Sequence, residues 1–106
     1  IARESKNKNC VIAEGGEIYG TITHSIISTG CTVDSGAIVE DSVIMPNVHI
    51  ESGAIIRHAI IGEDCRICRG AVIGGSFAPG EEKKISVVGK AKTIAENTAI
   101  KPGDIY

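Results

Sequence analysis

Three copies of one 17-residue unit run through residues 27–77, and this repeat constrains the architecture more than any other feature. The copies span 27–43, 44–60 and 61–77. Laid over one another, they agree column by column. Ile27, Ile44 and Ile61 share the first column, Val33, Ile50 and Ile67 the seventh, and Val39, Ile56 and Ile73 the thirteenth. Gly36, Gly53 and Gly70 coincide, each followed by alanine, and Ser42, Ala59 and Ser76 form a column of small residues. Within a copy the large aliphatics step by six, six and five. A helix needs apolar residues three and four apart, so a step of six would scatter them over drifting faces. A glycine in every copy fits tight corners better than helix interiors.

A six-residue step suits short strands, each forming one side of a triangular coil and stacking in parallel on the coils above and below. The prism is narrow, so each branched residue is preceded, two positions earlier, by a slender one: Cys31 before Val33, Ala37 before Val39, Ser42 before Ile44. The expected fold is all-β, a parallel β-helix of hexapeptide repeats. Its left hand comes from the resemblance to hexapeptide proteins, because periodicity alone does not set handedness.

The chain has 106 residues, enough for one domain, with only 3% aromatics and no tryptophan. A stacked coil can do without aromatics because its core is thin. A net charge of −2 provides no general attraction for nucleic acid or anionic membrane. No apolar run reaches the ~20 residues that cross a bilayer, and no signal-peptide pattern is visible. Ile1 in place of methionine suggests either processing or a piece excised from a longer protein. Of the four cysteines, Cys31 and Cys65 share a column two coils apart, which sets their Cα atoms roughly 9–10 Å apart, too far for a disulfide. Cys65 and Cys68 form a CxxC pair whose members point in opposite directions. Reduced core cysteines and a cytoplasmic location follow.

Residues 1–9 read as a polar lead-in and 10–106 as the β-helix domain. Residues 10–26 form a degraded copy in which Gly16, Tyr19 and Gly20 break the core columns. Regular coils follow over 27–77. A Pro, Gly and charge-rich loop (APGEEKK) occupies 78–84, and a final coil over 85–103 ends at Pro102-Gly103. The residue before each core aliphatic should point outward. On one side these are Thr32, His49 and Arg66, a solvated face. On the other two sides they are Ile38, Ile55 and Val72, and Ile26, Val43, Ile60 and Phe77. Two apolar outward stripes mark an interaction surface, unless β-branched residues are there only because they suit strands.

A search for chemistry finds little. His24 and His58 share a column, roughly 9–10 Å apart at the backbone, while His49 lies on another side. Zinc needs ligand nitrogens about 2.0–2.1 Å from one point, so no metal site is expected. No Ser/His/Asp arrangement, phosphate loop or GxGxxG is present. Hexapeptide acyltransferases carry a catalytic histidine beside a protruding loop, and no loop is expected near a histidine here. Lys83, Lys84, Lys90, Lys92 and Lys101 form a modest basic cluster, either a solvated surface or a small anion site.

Residues 20–74, with DSVIMP at 41–46 and HAIIG at 58–62, resemble the C-terminal β-helix of bacterial glucose-1-phosphate adenylyltransferases, the ADP-glucose pyrophosphorylases. The tail, with VVGK at 87–90 and IKPG at 100–103, resembles that family's last coil. Such enzymes join ATP and glucose 1-phosphate into ADP-glucose and pyrophosphate, toward glycogen, in an N-terminal catalytic domain that uses Mg and ATP. The resemblance therefore implies a non-catalytic domain with no cofactor of its own. Its implied partners are that catalytic domain, further copies in a tetramer and a small phosphorylated effector. Lys90 matches an activator-binding lysine of some relatives, and Lys83 and Lys84 are the accompanying candidates. Glu63 stands where those relatives place another such lysine. A hexapeptide acyltransferase, another sugar-1-phosphate nucleotidyltransferase and a catalytically weak paralogous subunit stay open as alternatives.

Overall fold

A computed structural model describes residues 6–106, and within it the chain winds as stacked coils of two- and three-residue strands. The first coil holds β1 (Lys6–Lys8), β2 (Val11–Ile12) and β3 (Glu17–Ile18). The second holds β4 (Thr21–Thr23), β5 (Ile26–Ile27) and β6 (Thr32–Val33), and the third β7 (Ile38–Glu40), β8 (Val43–Ile44) and β9 (His49–Ile50). Next come β10 (Ile55–Arg57), β11 (Ala59–Ile61) and β12 (Arg66–Ile67), then β13 (Val72–Gly74), β14 (Ser86–Val88) and β15 (Thr93–Ile94), and last β16 (Ala99–Ile100). Every third strand joins the same sheet. The first sheet runs β1-β4-β7-β10-β13-β16, the second β2-β5-β8-β11-β14 and the third β3-β6-β9-β12-β15. All their pairings are parallel. The molecule is therefore an all-β hexapeptide solenoid, the parallel β-helix expected from the repeat, with the left hand that the resemblance to hexapeptide proteins implies.

The core follows the sequence columns. Ile22, Val39, Ile56, Ile73 and Ile100 point inward from the first sheet, Ile27, Ile44, Ile61 and Val88 from the second, and Ile18, Val33, Ile50, Ile67 and Ile94 from the third. Cys31, Ala37, Ala54, Cys65 and Ala71 fill the angles between them. Burial raises the Cys31 thiol above its ordinary range, which keeps it protonated, and it donates to the Met45 carbonyl at 3.1 Å. Cys65 likewise donates to the Gly89 carbonyl at 2.9 Å.

Buried serines complete the backbone bonding beside one corner. Ser25 Oγ accepts from the Ser42 N–H at 3.0 Å and donates to the Thr23 carbonyl at 2.8 Å. Ser42 repeats the pattern one coil on, toward Ala59 and Glu40. Among the described residues no buried side-chain polar atom lacks a partner.

The register departs from a strict 17-residue step at two places. Ile38, Ile55 and Val72 are in register, as are Ile26, Val43 and Ile60. At the start, Lys6 pairs with Thr21, Val11 with Ile26 and Glu17 with Thr32, so this coil is two residues shorter. Gly16 and Gly20 therefore continue the small-residue columns of Cys31 and Ala37 rather than breaking them. A Cβ on Gly20 would sit 2.7 Å from the Ala37 carbonyl oxygen, so only glycine fits there. The expected lead-in is also shorter, because β1 already belongs to the solenoid; residues 1–5 lie outside the described residues.

After β13 the chain leaves the coil and returns at β14. Ile60 pairs with Val87 and Ala59 with Ser86. Phe77 and Ser76 consequently do not continue the outward stripe or the serine column; Val87 and Ser86 take those places. Beyond Pro102-Gly103 the chain pairs once more, Ile105 bridging to Val87 and the Tyr106 N–H donating to the Val87 carbonyl at 2.8 Å.

Two outcomes test this packing. Ile50 is fully buried, so Ile50→Ala should lower stability by about 2–5 kcal/mol through the cavity it leaves, read by urea titration. Glu51 accepts from Arg66 Nε at 2.8 Å and from the Arg69 N–H at 3.0 Å, and the Arg66 bond first of all holds its carboxyl below the ordinary range. A depressed carboxylate stabilises above the unfolded value of about 4.3 and loses that contribution as pH falls through the folded one. Arg66→Met should therefore lower the urea midpoint at neutral pH and match the parent in acid. An equal deficit throughout the range would remove the charge-based account.

Candidate functional site

Each corner of the coil needs a residue with positive φ. At the corner between the first and second sheets these are Asn9, His24, Asp41 and His58, with φ of 53°, 51°, 48° and 48°. Asn, Asp and His tolerate this left-handed conformation better than other side chains, so the local backbone already favours these residue types. Parallel stacking then places each above the last. Asp41, one coil from each histidine, stands between them. Its Oδ1 lies 2.8 Å from His24 Nδ1 and its Oδ2 3.6 Å from His58 Nε2. His58 Nδ1 lies 2.9 Å from the Gly75 carbonyl oxygen.

Carboxylate and carbonyl oxygens only accept, so Nδ1 carries the proton on both rings. His24 is then oriented by Asp41 with Nε2 directed away from that bond, and its side chain is 71% exposed. His58 is only 14% exposed. Phe77 packs edge-on against its ring at a centroid distance of 5.0 Å.

The sequence expectation of no loop beside a histidine is overturned here. The insertion departs at Gly75, the position stacked directly beyond His58, and folds back over it. Lys83, near its far end, joins His24, Asp41 and His58 around an open groove of about 240 Å³ whose apolar floor is Ile26 and Val43. The candidate lysines are thereby separated. Lys83 lines the groove, whereas the Lys84 stem lies beside Gly103. Lys90 stands at the corner between the second and third sheets and pairs with Glu63 at 3.4 Å. Asp41 was missed by sequence reasoning. Its signal was its position midway in the column of His24 and His58.

The apolar stripes are present with Phe77 replaced. Ile26, Ile60 and Val72 are exposed, while Ile38, Val43 and Ile55 are half-buried. The third face is polar as expected, His49 pairing with Asp34 at 3.1 Å and Arg66 with Glu51 at 2.6 Å. Among the described residues no three His, Cys, Asp or Glu side chains are arranged to hold a metal ion, and no helix is long and apolar enough to cross a membrane.

The stacked sheets, stepped columns and polar corner together define a hexapeptide-repeat domain. More particularly, the chain belongs to the GlmU-like, C-terminal hexapeptide family, whose profile matches residues 2–94. It is also similar to the glucose-1-phosphate adenylyltransferases of Bacillus thuringiensis (strain Al Hakam), Bacillus mycoides (strain KBAB4) and Bacillus anthracis. Each is 44% identical over 46 residues, a match that covers 43% of this chain and 12% of the relative. The chain thus corresponds to a small part of those proteins. No solved structure matches significantly.

His58→Asn should keep the turn, since asparagine accepts positive φ, but release the insertion from its ring contacts. Limited proteolysis between Pro79 and Lys84 should then accelerate several-fold with little change in global stability. Unchanged cleavage would mean that the loop is held elsewhere.

Proposed function

We propose that this chain is the C-terminal β-helix of an ADP-glucose-forming nucleotidyltransferase and serves assembly and regulation rather than catalysis. The observation that carries the reading is the 44% identity to glucose-1-phosphate adenylyltransferases over 46 residues of a hexapeptide domain. The solenoid's side-chain chemistry supports a non-catalytic role, since Ser25 and Ser42, the hydroxyls that line the groove beside Asp41 and His24, donate to the backbone carbonyls of Thr23 and Glu40. In this reading, ATP, glucose 1-phosphate and Mg are used in a separate catalytic domain of the parent, in the cytoplasm, on the way to glycogen. The exposed members of the two stripes, Ile26 and Ile60 on one and Val72 on the other, meet that domain or another copy in a tetramer. In this reading Lys90 takes the place of the activator-binding lysine of some relatives; its pairing with Glu63 means that an anionic effector has to displace a carboxylate to reach it.

A second reading, a hexapeptide acyltransferase, is favoured by one observation: the insertion lies against His58 as a protruding loop lies beside a catalytic histidine in such enzymes.

Pyrophosphate release with ATP and glucose 1-phosphate, measured on the parent protein and on this chain, separates the two. Activity in the parent alone is the expected result. Silence in both, with turnover of acetyl-CoA by this chain, would replace the first reading by the second. Parent activity with another sugar 1-phosphate would keep the architecture and change the substrate.

A further inference from the structure

The insertion is tied to the solenoid at one ring. His58 Nδ1 donates to the Gly75 carbonyl, 2.9 Å away, where the insertion departs, and Phe77 packs edge-on against the same ring. With its proton on Nδ1, the neutral ring turns the lone pair of Nε2 toward Asp41 Oδ2. The separation there is 3.6 Å, long for a hydrogen bond, as suits two facing acceptors. A neutral imidazole has a single N–H, for which the Gly75 carbonyl and the Asp41 carboxylate compete. The imidazolium has two, and can donate to the insertion with one nitrogen and to the neighbouring coil with the other. A charged donor also strengthens both bonds.

The other charges near His58 are engaged or screened. His24 Nδ1 holds the second oxygen of Asp41 at 2.8 Å, but this side chain is exposed, so a charge on it is screened by water. His58 is mostly buried, and its attraction to Asp41 is screened less. Arg57, the preceding residue, pairs with Glu40 at 2.7 Å. Lys83 lines the same groove from the insertion and repels a positive ring. In the coil beyond, Gly75 and Pro102 carry no charge, and the Lys84 stem lies beside Gly103.

We propose that His58 is a proton-operated latch for the insertion. Protonation lets the ring serve Gly75 and Asp41 together and fastens the insertion; loss of the proton restores the competition and loosens it. The fastened state therefore favours the proton, so acid tightens the latch and alkali releases it. Imidazole is the side chain that changes charge between about pH 5 and 8, which sets the working range. Because Lys83 lines the groove from the insertion, the proton also sets how open the groove stands.

The test is limited proteolysis of this chain within residues 78–85 at about pH 8 and about pH 5. Each rate is divided by that of a free peptide of residues 75–86 under the same conditions. Ring nitrogen NMR signals follow the protonation of His58 and His24. Relative cleavage should be roughly threefold slower in acid, the effect of a partly exposed ion pair, and should change in step with the His58 signal. Asp41→Asn keeps a residue suited to the turn but removes the charge, and should cleave alike at both pH values. His24→Asn should keep the pH response. Cleavage that does not slow in acid would overturn the latch, as would a His58 ring that takes up no proton. A pH response that survives in Asp41→Asn would remove the carboxylate from it. One that disappears in His24→Asn would assign the proton to the wrong ring and refute the role of His58.

Discussion

The solenoid depends on one backbone requirement: a positive φ at each corner of each regular coil. Gly30, Asn47, Asp64 and Ala91 meet it at one corner, Gly36, Gly53, Gly70 and Asn97 at another, and His24, Asp41 and His58 at the third. A left-handed residue other than glycine costs roughly 1–2 kcal/mol, somewhat less for Asn and Asp, whose side chains bond locally. Corner residues are therefore restricted before packing or function is considered. The restriction keeps strands at two or three residues, and short strands give the triangular section. That section is narrow enough to be filled by isoleucine, valine, alanine and cysteine with almost no aromatics.

The same requirement bears on how the histidines are understood. Histidine at a left-handed corner is acceptable for backbone reasons alone, so His24 and His58 do not by themselves indicate a site. What changes their standing is Asp41. Stacking at one coil per step brings a carboxylate between two imidazoles without any loop having to fold. A structural need selects the residue types, and translation along the solenoid axis assembles them. The charged corner arises from the fold at little further expense.

How far the sequence could be read follows from where translation holds. Over residues 27–74 every inward and outward position was legible, because one 17-residue step predicts all of them. The reading failed where the step changes. The first coil is shorter, so Gly16 and Gly20 looked like defects although they meet the backbone of the coil above. The insertion shifts the register, so Phe77 was placed in a stripe that Val87 continues. Loop composition showed that an insertion exists but not where it lies. The corner site was hidden in part for the same reason: His24 and His58 were visible as a column with Asp41 overlooked midway between them, while Lys83 reaches them only through a path that no period describes.

A repeat that continued without interruption would present the same face at every level, with a similar surface on each coil. The insertion at 75–85 ends that equivalence. It takes the hydrogen bond of His58 through the Gly75 carbonyl, covers its ring with Phe77 and sets a lysine over the neighbouring coils. Only there does the surface acquire a direction, with a closed side at His58 and an open side at His24. Chemistry that distinguishes one small molecule from another needs such asymmetry. In this solenoid the regular coils supply a rigid ladder of oriented groups, and the departure from regularity makes one rung different from the rest.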